Sequence, residues 1–265
     1  MVIYAIVFTA IYVYQKSCEL FLREVSVTQH NLILITIPAI VALCGGFLAA
    51  YWKPSHQHRS LIQHFAAGVV LAALAVELLP EIGREHAPGP VLIGSFALGS
   101  LFMYGLKIWT EHLERKDEKA GKKSGIGRGL LLATFIDVAV DGFIIGAGFA
   151  AGGGTGAILA IGLSVELLFL GLALTSDQVS GRQIILVSGG IGLTVLLCAV
   201  TGSMLLVGAS HTVIGAALAF SAAALLYLVT EELLMEAHVV QEKPISTLVL
   251  FAGFLTFWSI ELIGK

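Results

Sequence analysis

Charge is scarce in this sequence. Of its 265 residues, 15 are Lys or Arg and 18 are Asp or Glu, so only 12% are charged, whereas a soluble domain usually carries about 25%. Hydrophobic residues make up 57% of the chain, and its mean hydropathy is +0.92. This composition excludes a disordered chain and a conventional soluble domain.

The sequence also offers little basic surface and few cysteines. The net charge of −3 offers no positive surface to a phosphate backbone, so no nucleic-acid partner is predicted. The three cysteines, Cys18, Cys44 and Cys198, stand in apolar surroundings without the spacing of a disulfide framework or a metal site. A secreted disulfide scaffold is therefore excluded, and we predict a multi-pass protein of the cell membrane whose partner is the lipid bilayer.

Eight apolar stretches are long enough to cross the bilayer as helices, which takes about 20 residues. They are 32–52, 61–81, 91–110, 129–150, 156–176, 183–207, 212–235 and 246–263. They predict an all-α membrane protein with eight transmembrane helices in one transporter domain, 32–265. Residues 1–31 form an N-terminal apolar segment and linker, which we interpret as an uncleaved ninth helix or an interfacial segment; a signal peptide is the alternative.

The basic residues predict the orientation. Only Lys16, Arg23, Arg84 and Lys265 fall outside the connections after spans 1, 3, 5 and 7 and their flanks. Because Lys and Arg are enriched in cytoplasmic loops, the charged loop 111–128 is predicted to be cytoplasmic.

The chain resembles itself at an offset of 155 residues. The run Glu77 to Glu81, Glu-Leu-Leu-x-Glu, recurs at Glu232 to Glu236, and Phe65, Phe96 and Phe102 have counterparts at the same offset. Copies five spans apart cross the membrane in opposite directions, which predicts a 3+2+3 inverted repeat, a common construction of secondary transporters. Repeat 1 is about 32–110, repeat 2 about 183–263, and the helices within 129–176 lie between them.

Acidic residues inside the spans are the candidate functional residues, because a charge in a span costs about 2.5–3.5 kcal/mol on insertion scales. Asp137 and Asp141 are four residues apart on span 4 and share a helix face. Glu166 is at the middle of span 5, so the three carboxylates are predicted to share one level, with no Lys or Arg deep in a span to neutralise them. A divalent cation would satisfy them; neutral carboxylic acids or a water-filled cavity are the alternatives.

Other polar residues are weaker candidates. Glu77 and Glu81 near the outer face, and Glu231, Glu232 and Glu236 near the inner face, are predicted to line the approaches to the site or to lie at helix ends in water. His56, His58 and His64 lie near the start of span 2 on the cytoplasmic side and form either a metal relay or ordinary interfacial histidines. Glu261 is expected at the interface. Four glycines are predicted to allow close helix packing: Gly45, Gly46, Gly142 and Gly146.

The layout resembles the ZIP family of divalent metal transporters over all eight spans. The run from Phe65 to Glu81 is similar to that family's second span, and the runs that begin at Phe96 and Tyr227 are similar to its third and seventh. The charged loop falls where the family has its variable cytoplasmic loop. The resemblance implies the same 3+2+3 architecture and transport of zinc, iron or manganese into the cytoplasm.

This chain has residues at the positions of the family's metal motifs, but several of them differ in side-chain chemistry from the family's ligands. Asp137 and Asp141 align with the ligands of the family's fourth span, and Glu166 with the first ligand of its fifth. Val138, Leu167 and Leu170 replace the ligands of a second metal. The family's helix-breaking prolines are also replaced, by Val140 and Phe169. The resemblance therefore implies one metal site, whose carboxylates suit Mn²⁺, Fe²⁺ or Mg²⁺ better than Zn²⁺.

These observations favour a divalent metal transporter rather than an enzyme, with the metal as transported substrate and no cofactor. One alternative is a ZIP-like protein that has lost metal transport or moves another solute with protons. An intramembrane hydrolase is a weaker alternative, because the two aspartates share one helix and no span centre holds a histidine. The sequence leaves open a homodimer.

Overall fold

The computed structural model describes residues 33–52, 54–119, 128–173, 180–237 and 244–264. This part of the chain is helical and contains no strand, and eight of its helices are long and apolar enough to cross a membrane. We name them α1 (Ile33–Tyr51), α2 (His56–Ala72, continuing to Arg84), α3 (Gly89–Lys119), α4 (Arg128–Ala151), α5 (Gly153–Ala173), α6 (Gly181–Leu206), α7 (His211–Tyr227, continuing to Ala237) and α8 (Pro244–Gly264). The prediction of an all-α membrane protein with eight spans is confirmed.

Local sequence signals start and separate several helices. The Ser55 hydroxyl accepts a hydrogen bond from the His58 backbone N–H at the start of α2. Ser180 and Gln183 form a reciprocal capping box at the start of α6, which satisfies backbone N–H groups that have no partner within the helix. Gly152 alone separates α4 from α5, so these two helices are antiparallel neighbours.

The predicted cytoplasmic loop 111–128 begins as a continuation of helix α3. Helix α3 continues to Lys119, because Glu, Lys and Arg are good helix formers outside the bilayer and Glu111 pairs with Arg115 one turn away at 3.4 Å. Residues 120–127 lie outside the described part of the chain. So do residues 1–31, and the ninth helix therefore stays a prediction.

The helices pack in two groups. In the first group, α4 packs along α6, and α1 contacts both α5 and α6. Close approach depends on glycine there: a Cβ at Gly45 would lie 2.4 Å from the carbonyl oxygen of Leu168, and one at Gly146 would lie 2.4 Å from that of Ala199. The prediction that these glycines allow close packing is confirmed.

The second group consists of α2, α3, α7 and α8. Here α2 packs on α8 and α3 packs on α7. Glycine again sets the distance, since a Cβ at Gly68 would lie 2.0 Å from the carbonyl oxygen of Leu250 and one at Gly253 would lie 2.2 Å from that of Phe65. The two groups meet along α2, α4, α5 and α7.

A π-helical segment interrupts both α2 and α7. The segments are Ala73–Leu78 and Leu228–Leu233, and they are separated by the same 155 residues as the sequence repeat. In α2 only Leu79 separates the segment from Pro80, which cannot donate a backbone hydrogen bond within a helix. The recurrence of this uncommon distortion in two oppositely directed helices agrees with the predicted inverted repeat.

Candidate metal centre

Three buried carboxylates meet between α4 and α5. Each of Asp137, Asp141 and Glu166 offers one oxygen, and these oxygens all lie within 4.8 Å of one another. The residues are 6%, 1% and 3% exposed. One turn of α4 separates the two aspartates, and the short connection at Gly152 sets α5 beside them. The structure thus brings together the three carboxylates that the sequence predicts to share one level.

This cluster lacks part of the hydrogen bonding that buried carboxylates normally have. Asp141 Oδ2 and Glu166 Oε2 are buried and have no hydrogen-bond partner among the described residues. Negative charges this close repel one another strongly where water is excluded. The arrangement is therefore stable only if protons or a cation reduce its charge.

The helices that carry the cluster are regular. Helix α4 runs through Val140 and α5 through Phe169 without interruption, as expected for positions that lack proline. Val138 and Leu167 are fully buried apolar residues. They occupy the positions at which the family resemblance implies ligands of a second metal, and their side chains cannot bind one.

A cavity of about 50 Å³ reaches the cluster. Asp137 and Glu166 line it from the first group of helices, and Gln63 and Glu232 line it from the second. Its remaining walls are apolar, formed by Ala66, Phe169, Leu170 and Leu233. The volume is sufficient for an ion with a small number of waters.

The cavity approaches the cluster from the end of the bundle at which α3 ends and α4 begins. Glu232 is exposed there, as predicted for a carboxylate that lines an approach to the site. The sequence reasoning missed Gln63, because a single amide beside His64 has no motif that distinguishes it. His64 is buried, and its Nδ1 lies 2.7 Å from the carbonyl oxygen of Ser60; the structure does not place it in the cavity wall.

Glu77 and Glu81 lie at the opposite end of the bundle from Glu232, and both are buried. Glu81 is paired with Arg84 at 2.7 Å. Buried Glu85 is paired with His211 at 2.8 Å, which joins the end of α2 to the start of α7. The acids at this end of α2 therefore have basic neighbours, whereas none of the described residues that line the cavity at the central cluster is basic.

Two of the remaining acids lie away from the cavity wall. Glu231 does not line the cavity wall with Glu232; it pairs with Lys107, a basic residue that lies within the third span. Glu261, which was expected at the interface, is buried among the helices. The side chain of Glu236 lies outside the described part of the structure.

The chain is a multi-pass membrane protein with a buried carboxylate cluster that a cavity reaches from one end. Its function has to be inferred from the chemistry of these residues. Comparison of the chain with protein-family models and with curated proteins gave no match.

Proposed function

We propose that this protein transports a divalent metal cation across the membrane and that Asp137, Asp141 and Glu166 bind the cation on its way. The observation that carries this proposal is the convergence of three buried carboxylate oxygens within 4.8 Å. None of the described residues that line the adjoining cavity is basic. Oxygen ligands at this spacing suit a hard divalent cation.

The energetic cost of the cluster supports a bound cation. At about 2.5–3.5 kcal/mol for each charge in a span, Asp141 and Glu166 alone would cost about 5–7 kcal/mol if both were charged. That cost is comparable with the whole stability of a typical domain, about 5–15 kcal/mol. A divalent cation offsets two of the three negative charges, and a proton on the third carboxyl group would complete the neutralisation.

The ligand chemistry favours manganese or iron over zinc. All three ligands are carboxylates, which suit harder cations, whereas imidazole and thiolate favour zinc. The resemblance to the ZIP family supports transport of a transition metal and keeps zinc among the candidate substrates. Buried Val138 and Leu167 argue for a single metal site.

The route follows from the cavity and the predicted orientation. Glu232 attracts the cation at one end of the bundle, which we assign to the cytoplasmic side because most basic residues lie there. Glu77 and Glu81 would be the acids on the approach from the outside. The proposed direction of net transport, into the cytoplasm, rests on the family resemblance.

The test is metal uptake by liposomes that contain the purified protein. The parent should take up Mn²⁺ or Fe²⁺, and Asp141→Asn and Glu166→Gln should reduce the initial rate at least tenfold, because each variant keeps the shape of a ligand and removes its charge. Glu111→Gln is the matched control, since Glu111 belongs to an exposed helix-end ion pair. Unchanged uptake of Mn²⁺, Fe²⁺ and Zn²⁺ by both site variants would contradict the site assignment.

A second candidate is a membrane protein that binds a cation without transporting it, or that moves another solute together with protons. The unbroken helices α4 and α5 favour this candidate, because transporters commonly bind their substrates at interrupted helices. Equilibrium binding of Mn²⁺ to the purified protein, combined with no uptake by liposomes, would support it.

A further inference from the structure

Gln63 occupies an unusual position in the cavity that reaches the carboxylate cluster. Its side chain is buried and lines this cavity together with Asp137 and Glu166. It comes from α2, in the other group of helices. The other described lining residues are either acidic or apolar, so the Gln63 amide is the one neutral polar side chain among them.

A cation at the cluster can take more oxygen ligands than the three converging carboxylate oxygens supply. Hard divalent cations commonly take six or more oxygen ligands, whereas the central carboxylates offer three converging oxygens. Phe169 and Leu170 cannot add a ligand. Glu232 is exposed at the mouth of the cavity, so at the buried end the Gln63 amide and water can add oxygen ligands beside the second oxygens of the carboxylates.

We infer that Gln63 helps to determine which metal the site accepts, by presenting its amide oxygen to a cation held by Asp137 and Glu166. This inference rests on the proposed function. A neutral oxygen adds a ligand for hard cations such as Mn²⁺ without adding a fourth negative charge. It therefore raises affinity for such cations without holding them as tightly as another carboxylate would.

His64, the residue next to Gln63, carries a different kind of metal ligand. His64 carries an imidazole, the ligand that would favour zinc, but Gln63 is the residue that lines the cavity. The two neighbours on α2 thus offer different chemistry, and the fold presents the oxygen donor to the site. Moving an imidazole to position 63 should change the metal preference.

The experiment measures the affinities of the purified full-length protein for Mn²⁺ and Zn²⁺ by competition. Gln63→His should change the ratio of the two dissociation constants at least tenfold in favour of Zn²⁺, and Gln63→Leu should weaken Mn²⁺ binding about threefold to tenfold. Gln57→His is the matched control, because Gln57 is exposed on the same helix, and its ratio should equal that of the parent. If Gln63→His does not fold, Gln63→Cys provides a smaller zinc-favouring ligand at the same position.

The outcomes separate this inference from the proposed function. If the folded variant at position 63 has the same Zn²⁺/Mn²⁺ ratio as Gln57→His, while Asp141→Asn abolishes binding, the role of Gln63 is wrong and the carboxylate site stands. If the parent binds neither metal, the proposed function and this inference are both wrong. A change in the ratio at position 63 alone supports the inference, because a purely structural effect would weaken both metals alike.

Discussion

The two groups of helices treat buried charge differently. The group of α1, α4, α5 and α6 holds three carboxylates at its centre, on regular helices, with no base among the described residues that line the adjoining cavity. The group of α2, α3, α7 and α8 contains both π-helical segments and, among the described residues, three pairs of an acid with a basic side chain. Its pairs are Glu81–Arg84, Glu85–His211 and Lys107–Glu231.

A basic neighbour distinguishes the acids that join parts of the fold from the acids that can bind a cation. An acid beside a base already has its counter-ion and joins parts of the fold. Asp141 and Glu166 have buried oxygens without a hydrogen-bond partner among the described residues, so their cluster requires a proton or a cation. Burial alone does not make the distinction, because Glu81 and Glu85 are nearly as buried as Asp137.

The largest expected effect concerns stabilisation by metal. Mn²⁺ at about 100 times its dissociation constant should stabilise the parent by about 2.7 kcal/mol, and Asp141→Asn should lose this stabilisation. The metal-free variant should be at least as stable as the metal-free parent, because one of three repelling charges is gone. Thermal unfolding in detergent with and without Mn²⁺ measures both quantities.

Glu81→Gln is the counterpart in the other group and should keep the metal-dependent rise in Tm. If Glu81→Gln loses the rise and Asp141→Asn keeps it, the roles assigned to the two groups are reversed.

A second effect tests the close contacts of the first group. Gly146→Ala should lower the free energy of unfolding by about 1–3 kcal/mol, because its Cβ would lie 2.4 Å from the carbonyl oxygen of Ala199 and force α4 away from α6. Gly94→Ala in α3 is the control, since a Cβ there meets nothing within 4 Å. Equal stability of the two variants would show that α4 can move away from α6 at little cost.

The smallest effect concerns a paired acid. Arg84→Gln should lower Tm by less than Gly146→Ala does, since Glu81 remains buried without its partner while the exposed position of Arg84 limits the loss. Metal affinity should stay unchanged. The double variant Arg84→Gln/Glu81→Gln should recover most of the stability, and failure to recover it would show that the pair does not act through charge compensation.

Much of the fold and the centre of the site could be predicted from the sequence. Hydropathy alone indicated the eight spans, because a bilayer requires helices of a fixed length. The four-residue spacing of Asp137 and Asp141 put both on one face, and the short connection at Gly152 made Glu166 their neighbour. These features depend on local sequence and on connection length, both of which can be read directly.

The parts that the sequence could not predict depend on packing between distant segments. Nothing in the amino-acid sequence distinguishes Gln63 from other polar residues, because its role depends on the packing of α2 against α5. Lys107 was counted with a loop, although α3 continues beyond it and brings it to Glu231. The π-helical segments depend on backbone geometry and on packing against neighbouring helices, and no particular amino-acid composition predicts them.

Those two segments have a consequence for how the surfaces of α2 and α7 are organised. An α-helix turns by about 100° for each residue, and a π-helical turn contains about one residue more, so the segment rotates everything after it around the helix axis. A helical wheel drawn with one period over α7 therefore puts Glu232 and Gly215 on the wrong relative faces. The side of the helix that faces lipid therefore shifts around the helix axis between Leu228 and Leu233 in α7. The same shift occurs between Ala73 and Leu78 in α2.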